Sequence, residues 1–385
     1  MKAVAAIDSF KGSLSSLEAG EAAKKGILRA YPDAEVVVRP LADGGEGTVE
    51  ALIAGMNGEE VPIRVTGPLG EKVDCVYGII PSSRTAVMEI AQAAGLPIVP
   101  PEKRNPLNTT TYGVGEMIRD ALKRGARNFI VGIGGCATND CGIGMLEALG
   151  FEITDASGKP VSMFGRGLEH AAAISAEHAV PELKESRFRI ACDVDNPLCG
   201  PLGCSAIFGP QKGATPELIE IMDRWIMRFA EITRKVYPDA DREFPGTGAA
   251  GGLGFAFRTF FHSTLEPGID IVLDVTHFED YIRDADIAVT GEGRMDRQTA
   301  MGKAPSGVAK AAAKYGIPVI GFSGSVTKDA TVCNEHGIHA FFPVLRSVVT
   351  LEDAMKKENA AANLADTSEQ VFRLIRAVSG NDRLR

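Results

Sequence analysis

The most constraining feature of this chain is that its two ends carry the same pattern. Residues 3–8 (AVAAID) are a short apolar run closed by Asp8, and residues 34–39 (AEVVVR) are another. Between them, residues 13–29 space Leu14, Leu17, Ala22, Ala23, Ile27 and Leu28 among charges at helical intervals. The pattern resumes far downstream in DIAVT (286–290), PVIGF (318–322) and AFFPV (340–344). Helical stretches over 304–315, 329–335 and 351–378 separate or follow these runs. Short apolar strands alternating with helices build a parallel sheet covered on both faces. Two strands plus three predict a flavodoxin-like, doubly wound α/β domain of strand order 2-1-3-4-5. This domain would comprise residues 1–60 and 280–385, and a mixed α/β domain, 61–279, would be inserted into it. The active site is then expected in the cleft between the two.

The inserted segment opens with strand-like runs over 61–80 broken by Gly67-Pro-Leu-Gly70, an antiparallel signature. It continues with a helix over 114–124 and the strand NFIVGI (128–133), which leads into Gly134-Gly-Cys-Ala-Thr-Asn-Asp140. The strand FRIAC (188–192) ends in Asp193. An amphipathic helix over 216–236 carries the single tryptophan, Trp225, and the glycine-rich stretch 246–254 opens an apolar helix. The charged tail after Ser379 is expected to be mobile.

Composition narrows the function. A chain of 385 residues exceeds one ordinary core. A formal net charge of −9 argues against nucleic-acid and anionic-membrane partners. No apolar run is long enough to span a bilayer, and MKAVAAIDSFKG lacks a signal-peptide core, so a cytoplasmic chain is expected. Seven cysteines without a CxxC pair read as reduced thiols. Grouping of Cys192, Cys199 and Cys204 is too loose for a structural zinc site.

Three stretches of small residues could hold phosphate on backbone N–H groups: 43–48, 134–144 and 246–254. The sequence GTGAAG (246–251) matches a dinucleotide fingerprint, but the polar residues before it, including Pro245, supply no entering strand. No Walker loop is present, since Gly302-Lys303 is followed by alanine. Acids recur just after strands or in glycine-rich loops: Asp8, Asp43, Glu46, Asp140, Asp193, Glu292 and Asp296. Phosphoryl transfer needs such carboxylates for Mg²⁺ and for the hydroxyl proton, although each alone could equally cap a helix. Lys11, Arg104, Lys212, Arg294 and Lys303 lie in or beside turn-rich loops, where cations can meet phosphate or carboxylate.

Ten blocks, in order, extend across the chain: DSFKGSL (8–14), LADGGEGT (41–48), VTGPLG (65–70), NPLNTTTYGVGE (105–116), GIGGCATNDCG (132–142), ACDVDNPLCG (191–200), IFGPQKGA (207–214), GTGAAGGLG (246–254), PGID (267–270) and TGEGRMDRQTAMGKAP (290–305). With these the chain resembles the bacterial glycerate kinases of the first type. The resemblance implies ATP and Mg²⁺ as cofactors, D-glycerate as acceptor and 2-phosphoglycerate rather than 3-phosphoglycerate as product. A homodimer stays an open alternative. Two positions depart from the family, Cys136 where serine is usual and Cys141 where glycine is usual.

The expected site divides as follows. Asp193, Asp296 and Lys11 are catalytic, with base and metal roles left open between the two aspartates. Asp8, Arg104, Gln211, Lys212 and Arg294 bind glycerate. Gly44, Gly45, Gly134, Gly135, Thr138, Asn139 and Lys303 hold the nucleotide, and Asp43, Glu46 and Asp140 hold metal. A nicotinamide-dependent hydroxy-acid oxidoreductase and a non-catalytic sugar-acid-binding protein are the alternative readings.

Overall fold

A computed structural model describes residues 1–379. The expected mobile tail therefore lies outside the described residues. The chain separates into two compact units. The first comprises Met1–Asp43, Glu50–Met56 and the chain from Ile269 onward; the second comprises Gly44–Val49 and Asn57–Gly268.

The first unit is built on a five-stranded, wholly parallel sheet. Its strands run in the order Glu35–Val38, Lys2–Ala5, Ile287–Met295, Val319–Val326 and Ala340–Pro343. This is the 2-1-3-4-5 order of a flavodoxin-like domain. Helix Ser16–Ala30 begins at a capping box, in which Ser15 and Glu18 each satisfy the other's backbone N–H. Ala19, Ala23 and Ile27 on its buried face pack against the sheet with Leu364 and Phe372 of helix Lys357–Ser379. Burying a side chain such as Ile27 or Phe372 contributes about 1.5–3 kcal/mol, so this small-residue core holds the sheet flat to its helices.

One strand departs from the sequence expectation. Apolar residues end at Thr290, but the strand runs on through Gly-Glu-Gly-Arg to Met295, paired with Ser323–Val326. Side chains alternate faces along a strand, so Thr290, Glu292 and Arg294 share one side and Gly291 and Gly293 the other. Neither acid nor arginine therefore belongs to a loop. Strand 319–326 likewise extends four residues past the expected PVIGF run.

The second unit carries a mixed six-stranded sheet. Thr264–Glu266, Arg187–Ala191, Asn128–Gly132 and Thr85–Glu89 are parallel neighbours. Lys72–Ile80 and Glu59–Thr66 complete it as an antiparallel hairpin about the turn at Gly67–Gly70. A small two-stranded ribbon, Glu152–Thr154 with Ala173–Ser175, has no counterpart in the sequence expectation, because three-residue strands leave no readable alternation. The core is aromatic: Phe129 stacks on Phe188 with ring centroids 4.4 Å apart, and Phe261 stacks on Phe188 from the other side at 5.1 Å. Helix Pro216–Val236 is capped by Thr215 and buries Met222, Ile226 and Phe229. No helix of the described residues is long and apolar enough to cross a membrane.

The glycines of 246–254 have a packing role. Ala250, Gly251 and Gly252 all adopt left-handed φ, at 52°, 66° and 93°. A Cβ on Gly251 would stand 2.1 Å from the Thr138 carbonyl oxygen, and the Gly251 carbonyl accepts from Cys141 N–H at 2.9 Å. The dinucleotide-like spacing thus lets two loops of one unit touch backbone to backbone.

Candidate active site

In the first unit a cavity of about 430 Å³ opens beyond the carboxyl ends of the parallel strands, where open α/β sheets bind ligands. Asp8 follows strand Lys2–Ala5 and is 5% exposed. Its backbone N–H donates to the Gly291 carbonyl at 2.9 Å, and its Oδ1 accepts from Ser9 N–H at 2.7 Å. Burial drives the Asp8 pKa up to about 7. The Asp43 charge reinforces that rise, as does Glu292 to a lesser degree, while the Ser9 N–H and Lys11 oppose it. Glu292 is buried and also raised, chiefly by desolvation. It accepts from Thr299 Oγ1 at 2.5 Å and faces Lys303 Nζ at 3.8 Å.

The remaining wall mixes charge and grease. Lys303 precedes helix Ala304–Ala313 and lines the cavity, its ammonium turned toward Glu292. The Ser13 hydroxyl is buried without a hydrogen-bond partner among the described residues and lines the cavity. On the apolar side Leu345, Leu351 and Met355 stay exposed around the opening, Leu351 to 75%.

Asp296 lines the same cavity and caps a short helix. It is the N-cap of the 3₁₀ helix Arg297–Ala300: its Oδ1 accepts from Gln298 N–H at 2.8 Å, and Thr299 Oγ1 receives its own N–H. Oδ2 lies 3.8 Å from Arg294 Nε. The carboxylate is thus half committed to a cap and half to an exposed guanidinium at the cavity's edge.

The second unit gathers its candidates at the carboxyl edge of its own sheet. Asp193 follows strand Arg187–Ala191, is exposed, and accepts from Gly268 N–H at 3.1 Å. Gly134 and Gly135 follow strand Asn128–Gly132 and are exposed. Gly44, at φ 88°, lies against the same edge; a Cβ there would fall 2.4 Å from Ala191 Cβ, which explains the glycine. Glu46 belongs to this loop, whose N–H groups at Gly47, Thr48 and Val49 converge on buried Glu89. Glu89, raised by burial, is a loop anchor that the sequence reading missed. Its signal is an acid that ends an otherwise apolar strand, TAVME.

Two expected ligand contacts turn out to be internal. Lys212 is 1% exposed, and its ammonium donates to the Thr138 carbonyl at 2.6 Å and to Cys136 Sγ at 3.1 Å. Asp140 is fully buried. Its Oδ2 accepts from Thr111 N–H and Thr111 Oγ1, both at 2.8 Å, and its Oδ1 from Gly142 N–H at 3.2 Å. Both residues hold the 134–144 loop together and present no free face to a metal or substrate. Thr138 and Asn139 are likewise buried; Asn139 Nδ2 donates to Ser205 Oγ at 2.9 Å. Arg104 is half-buried, with Nε at 3.4 Å from the Val99 carbonyl, and its backbone passes close to Gly213, next to Gln211 and Lys212.

Of the two unusual cysteines, Cys141 is buried with φ 52°, the left-handed region that favours glycine, and Cys136 accepts from Lys212.

Comparison with known proteins bears on these arrangements. The sequence pattern of the glycerate kinase family matches residues 3–376. The chain belongs to the glycerate kinase family. It is 47% identical to the glycerate kinase of Bacillus subtilis over 96% of this chain and 97% of that one. With the glycerate 2-kinase of Escherichia coli K12 it is also 47% identical, over 95% and 98% of the two chains. A crystal structure from Salmonella typhimurium LT2 assigned to glycerate kinase 2 superimposes with a TM-score of 0.92 at 45% identity, covering 99% of this chain and all of that one. A nicotinamide oxidoreductase and a non-catalytic binder, the alternative readings, find no place in this kinase family.

Proposed function

We propose that this protein transfers the γ-phosphoryl group of ATP to a hydroxyl of D-glycerate, giving 2-phosphoglycerate and ADP. The observation that carries the reading is the first unit's cavity, where three raised or neighbouring carboxyl groups, Asp8, Asp43 and Glu292, meet Lys11 and Lys303. Seven free thiols support a reducing, cytoplasmic setting.

The donor set suits Mg²⁺. Asp8 and Asp43 lie close enough to raise the Asp8 pKa by their mutual repulsion, and a hard cation on carboxylate oxygens relieves such repulsion. Asp43 and Glu292 would hold the ion, which supplies neutralisation of charge on the phosphate oxygens when bound. This replaces the expected set of Asp43, Glu46 and Asp140.

The chain's own residues account for the rest of the chemistry. Lys303 holds phosphate oxygens as a point charge. The apolar wall of Leu345, Leu351 and Met355 takes the nucleobase, and its exposure without ligand fits a surface that a base would cover. Arg294 offers a bidentate partner for the glycerate carboxylate. Asp8 accepts the hydroxyl proton at its free Oδ2, since a carboxyl group whose pKa lies near the working pH suits a general base. The unpartnered Ser13 hydroxyl orients substrate oxygen by a hydrogen bond.

The test is ADP release over a panel of small hydroxy acids, with product read through enolase. Enolase acts on 2-phosphoglycerate directly, so absorbance of its product should appear with no mutase added. Turnover of another acid without turnover of D-glycerate would reject the substrate, and a signal that requires mutase would reject the position.

A further inference from the structure

Asn363 is the only side-chain amide among the described residues that line the first unit's cavity. It stands on helix Lys357–Ser379, about one turn beyond Ala360, which lines the same cavity. Residues three and four apart share a helix face, so Ala360, Asn363 and Thr367 form one row. Thr367 fixes where that row points: its hydroxyl lies 3.5 Å from the carbonyl oxygen of Val344, another lining residue. Val344 follows the edge strand Ala340–Pro343, and helix Leu351–Met355 adds Leu351, Ala354 and Met355 to the lining. The amide is thus set in the apolar part of the cavity, among side chains that offer it no hydrogen bond.

Other asparagines of this unit show what such an amide does when the scaffold uses it. Asn359, four residues earlier on the same helix, donates to the Asp353 carbonyl at 2.8 Å. Asn334 donates to the Ile338 carbonyl at 2.9 Å. The Asn363 side chain is half-buried and makes no hydrogen bond among the described residues. An amide carries an acceptor oxygen and an NH₂ donor side by side in one plane. Left unused by the fold beside an apolar surface, that pair suits a planar ligand whose edge carries the complementary pair.

We infer that Asn363 selects the base of the phosphoryl donor, its amide oxygen accepting from the 6-amino group of adenine and its NH₂ donating to a ring nitrogen beside it. The inference rests on the reading of this cavity as the ATP site. Adenine presents that donor and acceptor in the plane of its ring, a pattern that an asparagine amide matches with two hydrogen bonds. Apolar side chains against the ring supply affinity for any base, and the two directional bonds supply the choice among them. The hydroxyls of Ser9, Ser13 and Ser325, which also line the cavity, are single atoms and cannot make two parallel bonds.

The test compares KM for ATP with KM for purine ribonucleoside 5′-triphosphate, which lacks only the 6-amino group, on the full chain. Product is read through phosphoglycerate mutase and enolase together, so that transfer to either hydroxyl counts. In the wild type, KM for the amino-free nucleotide should stand about tenfold above KM for ATP. Asn363→Leu keeps the volume and removes the amide. It should raise KM for ATP about tenfold, leave KM for D-glycerate and the melting temperature near wild type, and no longer distinguish the two nucleotides. Asn363→Gln, with its amide on a longer stem, should recover part of the preference, and Asn363→Ala carries the same comparison if the leucine variant fails to fold. Loss of discrimination on removing the residue is a pairwise coupling that a merely structural role would not produce. An equal ratio of the two KM values in wild type and variants would overturn the assignment and leave the kinase reading standing. Turnover of neither nucleotide with any hydroxy acid would overturn both.

Discussion

The two units each place polar loop residues at the carboxyl edge of a parallel sheet, and they do opposite things with them. In the first, Asp8, Asp43 and Glu292 crowd one cavity, so burial and like charge push Asp8 to about 7 and Glu292 upward. In the second, burial raises Asp140 and Glu89 too, but backbone groups and hydroxyls of their own unit occupy them, and the equally buried Lys212 is held by the Thr138 carbonyl. An acid that follows a strand can therefore be a reagent or a rivet. The difference lies in whether its lone pairs find partners within the fold.

Removing the two kinds of residue should give opposite phenotypes. The largest effect is expected from Asp8→Asn, which should cut kcat by a factor on the order of 10²–10⁴ while leaving the protein folded. The variant should also lose the acid limb of its pH–rate profile. A near-native kcat would move Asp8 to the second group. Asp43→Asn should instead raise the Mg²⁺ concentration needed for half-maximal rate, and excess Mg²⁺ should partly restore it.

Asp140→Ala sharpens the other side. It strips partners from Thr111 and Gly142 inside a sealed core, at a cost of about 1–3 kcal/mol for each donor left unpaired. Thermal unfolding should therefore occur well below the wild-type temperature, while the folded fraction keeps its kcat. A stable variant without activity would show Asp140 to be a reagent after all.

Stability against pH separates the groups by sign. Because the folded-state pKa of Asp8 stands near 7 and its ordinary value is 3.8, the native protein holds a proton that the unfolded chain has released throughout that interval. Bound protons on the native side make unfolding free energy fall as pH rises from about 4 to about 7, by on the order of 3 kcal/mol. Asp8→Asn should lack that part of the decline, so wild type and variant should converge at low pH and separate in the variant's favour near neutrality. Chemical denaturation at a series of pH values measures this.

The smallest effect is expected at the family-atypical cysteines. Cys136→Ser keeps an acceptor for Lys212, and Cys141→Gly relieves a left-handed backbone at the expense of buried Sγ contacts. The double variant should keep kcat within a few-fold and shift stability by about 1 kcal/mol or less. A hundredfold loss of kcat would mean that the 134–144 loop touches the reacting groups through its sulfur.

Strand order in the first unit could be read directly, since Val4, Val36, Val289, Ile320 and their neighbours form short apolar runs spaced by helices. The antiparallel opening of the second unit was equally legible from GPLG at 67–70. The extension of one strand to Met295 was not. Gly-Glu-Gly-Arg has loop composition, and only pairing with Ser323–Val326 holds it extended. That pairing brings Glu292 to the cavity and leaves Asp296 as a cap at its edge.

The sequence by itself determined the alternation of strands and helices, the flavodoxin-like order and the family, because local periodicity and ten ordered blocks are properties of residues near one another in the chain. Tertiary structure alone decided which polar residues are spent on the scaffold. Lys11 and Lys212 both look like loop lysines among turn formers, yet one lines a cavity and the other is sealed against Thr138 and Cys136. Asp8 and Asp140 differ in the same way. The physical reason is that a buried charge takes its meaning from its partners. Those partners, 29 residues away for Asp140 and 74 for Lys212, are chosen by the fold.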